Sequence, residues 1–292
     1  MASVPAVGDR SDRPIGIFDS GFGGLTVARA LFDLLPAEDY VYIGDTGRYP
    51  YGSKPLDEVR GYAVELASSL VDDFHVKAIV VACNTATAAG LDGLRAHLDV
   101  PIIDVVAPGA QALVQATDSG RVGVIGTVGT ISPGAYVRAV DSAAAENGRL
   151  VDLHGAACPG FVEFVERGQT SGDEVMVLAE RLLAPVRAAG IDTLLLGCTH
   201  YPFLARTISE VMGPGVVLVS SADETAFAAQ RQLDVAGLLR TARRPDDTSV
   251  VGTRRFLSSG DVEVFRDLGA RLLGPELDRT ERWPLSAPSS TP

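Results

Sequence analysis

The chain is poor in lysine, cysteine, histidine and long apolar runs, and each shortage narrows what it can do. Its 25 basic residues are nearly all arginine, and the only lysines are Lys54 and Lys77. Pyridoxal-phosphate chemistry needs a lysine for its Schiff base. Lys54 lies in a Gly/Pro-rich stretch and Lys77 just before an apolar run, so that chemistry has little to build on and no cofactor is expected. The three cysteines, Cys83, Cys158 and Cys198, are too sparse for a disulfide framework. Reduced thiols and a cytoplasmic location are the expectation. The histidines (His75, His97, His154 and His200) are scattered, without metal-ligand spacing to any cysteine, so no metal site is expected. No apolar stretch is long enough to span a bilayer. Basic charge is also short: 25 Lys+Arg against 37 Asp+Glu leaves a net charge of -12. That balance argues against a nucleic-acid groove. Residues 1–14 have no charged segment followed by an apolar core, and read as a disordered leader rather than a secretory signal.

What the chain does have is an apolar content of 46% over 292 residues, enough for one large domain or two ordinary ones. Short apolar runs at 15–19, 39–43, 78–82, 102–105, 122–125, 150–153, 193–196, 216–219 and 254–257 read as strands. Stretches with helical spacing lie between most of them, at 25–35, 56–74, 132–146, 173–189 and 222–239. Strand–helix alternation predicts parallel sheets with crossover helices, an α/β class. Several runs are apolar almost throughout, as strands covered on both faces should be.

Two segments say nearly the same thing. AIVVACNTATAA at 78–89 and TLLLGCTHYPFL at 193–204 each run from an apolar strand through a small residue to a cysteine and then Asn or Thr. IGIFDSG at 15–21 and VGVIGTVG at 122–129 form a second matched pair, each ending in a Gly-flanked hydroxyl residue. Together they predict two homologous α/β halves with mainly parallel sheets. The expected boundaries are 15–104 plus 219–273 for a discontinuous first domain and 105–218 for the second. Residues 274–292, rich in Pro, Ser and Thr, are expected to be a flexible tail.

Ligands of open parallel sheets bind beyond the carboxyl ends of the strands. The residues there are Asp19, Ser20 and Gly21, Gly44 and Asp45, Cys83, Asn84 and Thr85, Gly126 and Thr127, and Cys198, Thr199 and His200. Any one of them can be a helix cap. Two thiols among them point further. Each precedes an expected helix, whose N-terminal N–H groups and dipole favour a thiolate, so lowered thiol pKa values are expected. A thiolate can then act as base and a thiol as acid. Asp19 and His200 are placed to assist Cys83 and Cys198. The polar loop GDTGRYPYGSKP at 44–55 offers backbone N–H groups at Gly52 and Ser53 for a carboxylate. Cys158 reads as a bystander.

These motifs carry a resemblance. IGIFDSGFGGLTVARAL, YIGDTGRYPYGSKP, VACNTATAA, VGVIGTVGTI, ACPGFVEFVE and LGCTHYPFL occur in order from Ile15 to Leu204. They resemble the glutamate racemases of the cofactor-independent Asp/Glu racemase superfamily. The resemblance implies that the two halves are pseudo-symmetric α/β domains with the active site at their interface. It also implies that one cysteine thiolate removes the α-proton of glutamate while the other, as thiol, delivers a proton to the opposite face. Cys83 would face D-glutamate and Cys198 L-glutamate, assisted by Asp19, His200 and Glu166. Implied substrate contacts are Asp19, Ser20, Tyr51, Gly52, Ser53, Asn84, Thr85, Thr127, Thr130, Thr199 and His200. The implied product is D-glutamate for peptidoglycan. A homodimer with a small-molecule substrate is expected, without membrane or nucleic-acid partners. Racemisation of aspartate or another amino acid, and binding of an amino acid without chemistry, remain the competing readings.

Overall fold

In a computed structural model that describes residues 9–240, 251–277 and 279–285, the chain forms two parallel sheets. The strands in chain order are β1 (Ile15–Asp19), β2 (Tyr40–Gly44), β3 (Ala78–Val81), β4 (Ile102–Asp104), β5 (Arg121–Gly126), β6 (Asp152–Ala157), β7 (Thr193–Leu196), β8 (Val217–Ser220), β9 (Arg254–Ser258) and β10 (Thr280–Arg282). The first sheet has the order β10-β9-β2-β1-β3-β4 and the second β6-β5-β7-β8. The order β2-β1-β3-β4 is thus repeated as β6-β5-β7-β8, which is what the two matched sequence pairs require of a duplicated unit. All pairs are parallel, and the central strands β1, β2, β3 and β7 are buried along their whole length. Covering both faces explains why these strands read as unbroken apolar runs.

The helices are α1 (Leu25–Leu34), α2 (Leu56–Asp72), α3 (Asn84–Ala89), α4 (Asp92–His97), α5 (Val106–Ala116), α6 (Val128–Ile131), α7 (Ala135–Glu146), α8 (Phe161–Glu166), α9 (Asp173–Ala188), α10 (Ala205–Met212), α11 (Ser221–Val235) and α12 (Val262–Leu273). α1 shows how they dock: Leu25, Ala28, Leu31 and Phe32 recur at helical spacing and are all buried. Burying each such large side chain stabilises the fold by about 1.5–3 kcal/mol. α11 packs on both α1 and α5, and so joins the helical layers of the two sheets. One apolar core runs across both, from Ile15, Ile17 and Val80 to Ile125, Leu194 and Leu196. No helix among the described residues is long and apolar enough to cross a membrane.

Two expectations fail at the ends of the chain. Residues 274–285 were expected to lie in a flexible tail; instead Gly274–Leu277 forms a 3-10 turn, β10 pairs with β9, and Trp283 is buried. The reason is an otherwise unpaired sheet edge: β10 satisfies the β9 backbone, Trp283 N–H donates to Ser258 O at 2.8 Å, and its indole N–H donates to Ser69 Oγ at 2.9 Å. Residues 9–14 are likewise ordered. Ser11 is buried, and its carbonyl accepts from Lys77 Nζ at 2.6 Å. Lys77 is fully buried and pairs with Glu38 at 2.5 Å, so one of the two scarce lysines is spent on structure. The remainder of the expected leader and tail, 1–8, 278 and 286–292, falls outside the described residues.

Candidate active site

Parallel register brings the strand ends together. Phe18 pairs with both Val81 and Ile43, so Asp19, Gly44 and Ala82 mark one edge of the first sheet. Ile125 pairs with Leu196, and Gly126 with Ala157, so Thr127, Cys158 and Cys198 mark the matching edge of the second. One cavity lies between these edges. Its walls include Ser20, Tyr51, Gly52, Ser53, Cys83, Asn84, Thr85, Thr127, Cys198, Thr199 and His200, all expected from the sequence. Asp19, Thr130 and Glu166 are not in its lining and stand behind it.

Cys83 follows β3, and its Sγ accepts from the Ala86 N–H at 3.4 Å, capping α3. Cys198 follows β7 and lies 4.0 Å from His200 Nδ1. No α-helix starts at Cys198; a 3-10 turn at Tyr201–Leu204, with Pro202 in its first turn, precedes α10. α3 itself spans only Asn84–Ala89. Both thiols are buried, 4% and 7% exposed. The expected lowering of their pKa values is therefore overturned. Burial, then the charge of Asp19, pushes the Cys83 thiol up to about 12 against the opposing hydrogen bonds from Ala86 and Ser20. Burial also raises Cys198, opposed by the His200 N–H and reinforced by Cys83 and Asp19. Loss of hydration outweighs the dipole of one short helix, and at Cys198 there is no helix to supply one.

Partners fix the remaining groups. Asp19 Oδ2 accepts from the N–H groups of Gly21 at 3.1 Å and Gly24 at 3.0 Å, while its buried Oδ1 has no partner. Gly23 backs onto the second half of the site: an added Cβ would come within 2.5 Å of His200 Nδ1 and of Thr199 Oγ1. Glu166, at the end of α8, holds Oε1 3.5 Å from His200 Nε2. Thr85, Thr127 and Thr130 share their hydroxyls at 2.9–3.1 Å, tying the start of α3 to the start of α6. Asn84 also crosses between halves, donating to Tyr136 Oη at 2.8 Å, and its buried Oδ1 is unpartnered. The Tyr51 hydroxyl donates to Asp45, which also accepts from Arg48 Nε at 2.7 Å and Ser259 Oγ at 2.6 Å. Tyr51 therefore gives the cavity its ring, and its hydroxyl anchors the loop.

The lining also contains residues the sequence reading missed, among them Tyr49, Val128, Gly160, Val162 and Glu163. Cys158, read as a bystander, lines it too. It escaped because β6 lies at Asp152–Ala157, later than its weak apolar pattern suggested, so Cys158 stands at a strand end after all. Among the described residues no group of three or more His, Cys, Asp or Glu side chains is arranged to hold a metal ion.

This cavity has the chemistry of an acid/base site for a small polar anion: two thiols from matched strand ends, each with a polar neighbour, among hydroxyl, amide and backbone donors. The chain also has close relatives of known family. The Asp/Glu/Hydantoin racemase model matches residues 15–229. The chain is 52% identical over 274 residues to a glutamate racemase from Beutenbergia cavernae, covering 92% of each. A crystal structure of a glutamate racemase isoform from Bacillus anthracis superposes with a TM-score of 0.85 at 37% identity, over 95% of this chain and 99% of that one. Another, from Francisella tularensis in complex with D-glutamate, gives 0.80 at 31% identity, over 94% and 98%. The chain belongs to the Asp/Glu/hydantoin racemase family, on the side of its glutamate racemases.

Proposed function

We propose that the protein interconverts L- and D-glutamate by proton transfer at Cα between two cysteines, and that the D-glutamate serves peptidoglycan synthesis. The observation that carries this reading is the pairing of Cys83 and Cys198. They follow the third strand of two equivalent four-strand units and line one cavity. In this scheme one sulfur, as thiolate, takes the α-proton and leaves a carbanion at Cα. The other, as thiol, donates its proton to the opposite face, so each turnover exchanges the roles of the two sulfurs. A weakly acidic α-proton demands preorganised donors around the carboxylate. Ser20, Asn84, Thr85, Thr199 and the N–H groups of Gly52 and Ser53 supply them. Asp19 assists Cys83, and His200 with Glu166 assists Cys198.

The raised thiol pKa values fit an enzyme activated by its substrate. The substrate ammonium brings positive charge beside a buried sulfur and offsets the desolvation that keeps the thiol protonated. Division into a discontinuous first domain and an inserted second one, and a homodimeric assembly in the cytoplasm, belong to the same reading. The similarity to glutamate racemases, 52% identical in one case, supports glutamate over aspartate.

The test is circular dichroism of L-glutamate incubated with the protein and no added cofactor. The signal should decay to zero as D-glutamate accumulates, with deuterium entering Cα in D₂O. Faster turnover of aspartate would overturn the substrate, and no deuterium exchange by intact reduced protein would favour a binding protein.

A further inference from the structure

Two buried polar atoms and one partly exposed carboxylate converge behind the Cys198 wall. Tyr49 lines the cavity, and its hydroxyl is buried without a hydrogen-bond partner. His200 Nε2 is buried and also lacks a hydrogen bond of good geometry. Both lie near Glu166: its Oε1 stands 3.5 Å from His200 Nε2, its charge acts on the Tyr49 phenol, and the Tyr49 and His200 rings are 6.2 Å apart, centroid to centroid. Buried donors of this kind need an acceptor, and the Glu166 carboxylate is the ionised group beside them.

We propose that Tyr49 is a positioning residue for the Cys198 half-reaction: its hydroxyl donates to Glu166, which accepts in turn from His200 Nε2–H. That arrangement fixes the tautomer in which His200 Nδ1, 4.0 Å from Cys198 Sγ, carries the lone pair toward the thiol. Burial and the charge of Glu166 both raise the Tyr49 phenol, so it keeps its proton and toward the carboxylate acts as the donor. The charges of Cys83, Asp19 and Cys158 raise Cys198, the His200 backbone N–H opposes them, and Tyr49, Tyr136 and Tyr201 are the phenols on which it acts; Glu163 also acts on Tyr49. Among the described residues the Cys83 side shows no such tyrosine–carboxylate–histidine set. There Asp19 is held by the N–H groups of Gly21 and Gly24. The relay therefore makes the two thiols unequal, although the chemistry they perform is mirror-related.

This inference rests on the two-cysteine reading, and the experiment separates the two. L- and D-glutamate have equal free energies, so kcat/KM must fall equally in both directions in any variant, and kinetics alone cannot locate the defect. Peptide-resolved alkylation by iodoacetamide can. In Tyr49→Phe, which keeps the ring, the alkylation rate of Cys198 relative to Cys83 should fall by about tenfold, the worth of one hydrogen bond to a charged group. Racemisation should fall by a similar factor. Added to Glu166→Gln, Tyr49→Phe should cost less than about twofold more, because the relay is already broken. An unchanged or raised Cys198 to Cys83 ratio, or independent losses in the double variant, overturns the relay and leaves the two-cysteine reading standing. Absence of racemisation by the unaltered protein defeats the two-cysteine reading instead.

Discussion

Cys83 and Cys198 hold the same place in two copies of one strand order, and they differ in what stands behind them. Cys83 caps a helix and sits near Asp19; Cys198 precedes a 3-10 turn and is backed by His200 and Glu166. Equivalent backbone position with unequal support is the asymmetry that the proposed two-base scheme has to accommodate.

Removing either sulfur should separate proton exchange from inversion. Cys83→Ala and Cys198→Ala should each lower racemisation by about a hundredfold or more, the usual worth of a placed acid or base. Each variant should still wash deuterium into the one enantiomer its remaining thiolate can reach, with retained configuration. Circular dichroism with mass spectrometry in D₂O reads both quantities. Undiminished racemisation in either variant would refute the two-base scheme.

The thiol pKa directions give a second expectation. With Cys83 raised to about 12 and Cys198 raised also, both are protonated at neutral pH in the ligand-free protein. Their alkylation at pH 8 should be slower than that of free cysteine and should rise steadily at higher pH. Alkylation faster than free cysteine at neutral pH would show that the helix-terminus expectation was right and burial the lesser effect.

Gly23 is constrained by contact. Gly23→Ala sets a methyl group against His200 and Thr199, both buried in the site wall. Overpacking of this kind costs about 1–3 kcal/mol. Because the pressed groups line the site, kcat/KM should fall more than tenfold while circular dichroism spectra of the backbone stay unchanged. A fully active Gly23→Ala protein would contradict this packing.

The C-terminal segment should matter to stability. Trp283 is 4% exposed, and truncating such a buried aromatic costs about 3–5 kcal/mol. Trp283→Ala should lower the midpoint of chemical denaturation with little change in its slope. No change in midpoint would mean that β10 and Trp283 contribute nothing to the first sheet.

Acid should weaken the second sheet through Asp192. Burial raises this carboxyl, but hydrogen bonds from Thr117, Ser119 and Thr193 outweigh it and hold the pKa below the ordinary carboxylate range. A lowered folded-state pKa contributes stability that is present above the unfolded value, near 4, and is lost as pH falls through the folded one. Asp192→Asn should therefore be destabilised at pH 7 and approach the unaltered protein as pH drops below about 4. A stability difference that does not shrink on acidification would defeat this assignment.

Much of the site was legible because parallel strands end where their apolar runs end. Cys83, Thr127 and Cys198 stand within two residues of the ends of such runs, so the apolar pattern and its repetition pointed to them. Cys158 and Tyr49 were not legible: β6 is partly exposed and weakly patterned, and Tyr49 reaches the cavity from a loop whose path no period describes. β10 was missed because a short edge strand is specified by its neighbour's unpaired backbone rather than by its own residues. By itself the sequence determined the α/β class, the duplicated unit and the two thiols, all of which are local patterns repeated along the chain. Only the tertiary structure decided that those thiols are desolvated enough to be raised instead of lowered, that Glu166 stands behind His200, and that Tyr49 joins them. Burial and the distance between side chains from different strands do not exist until the two sheets meet.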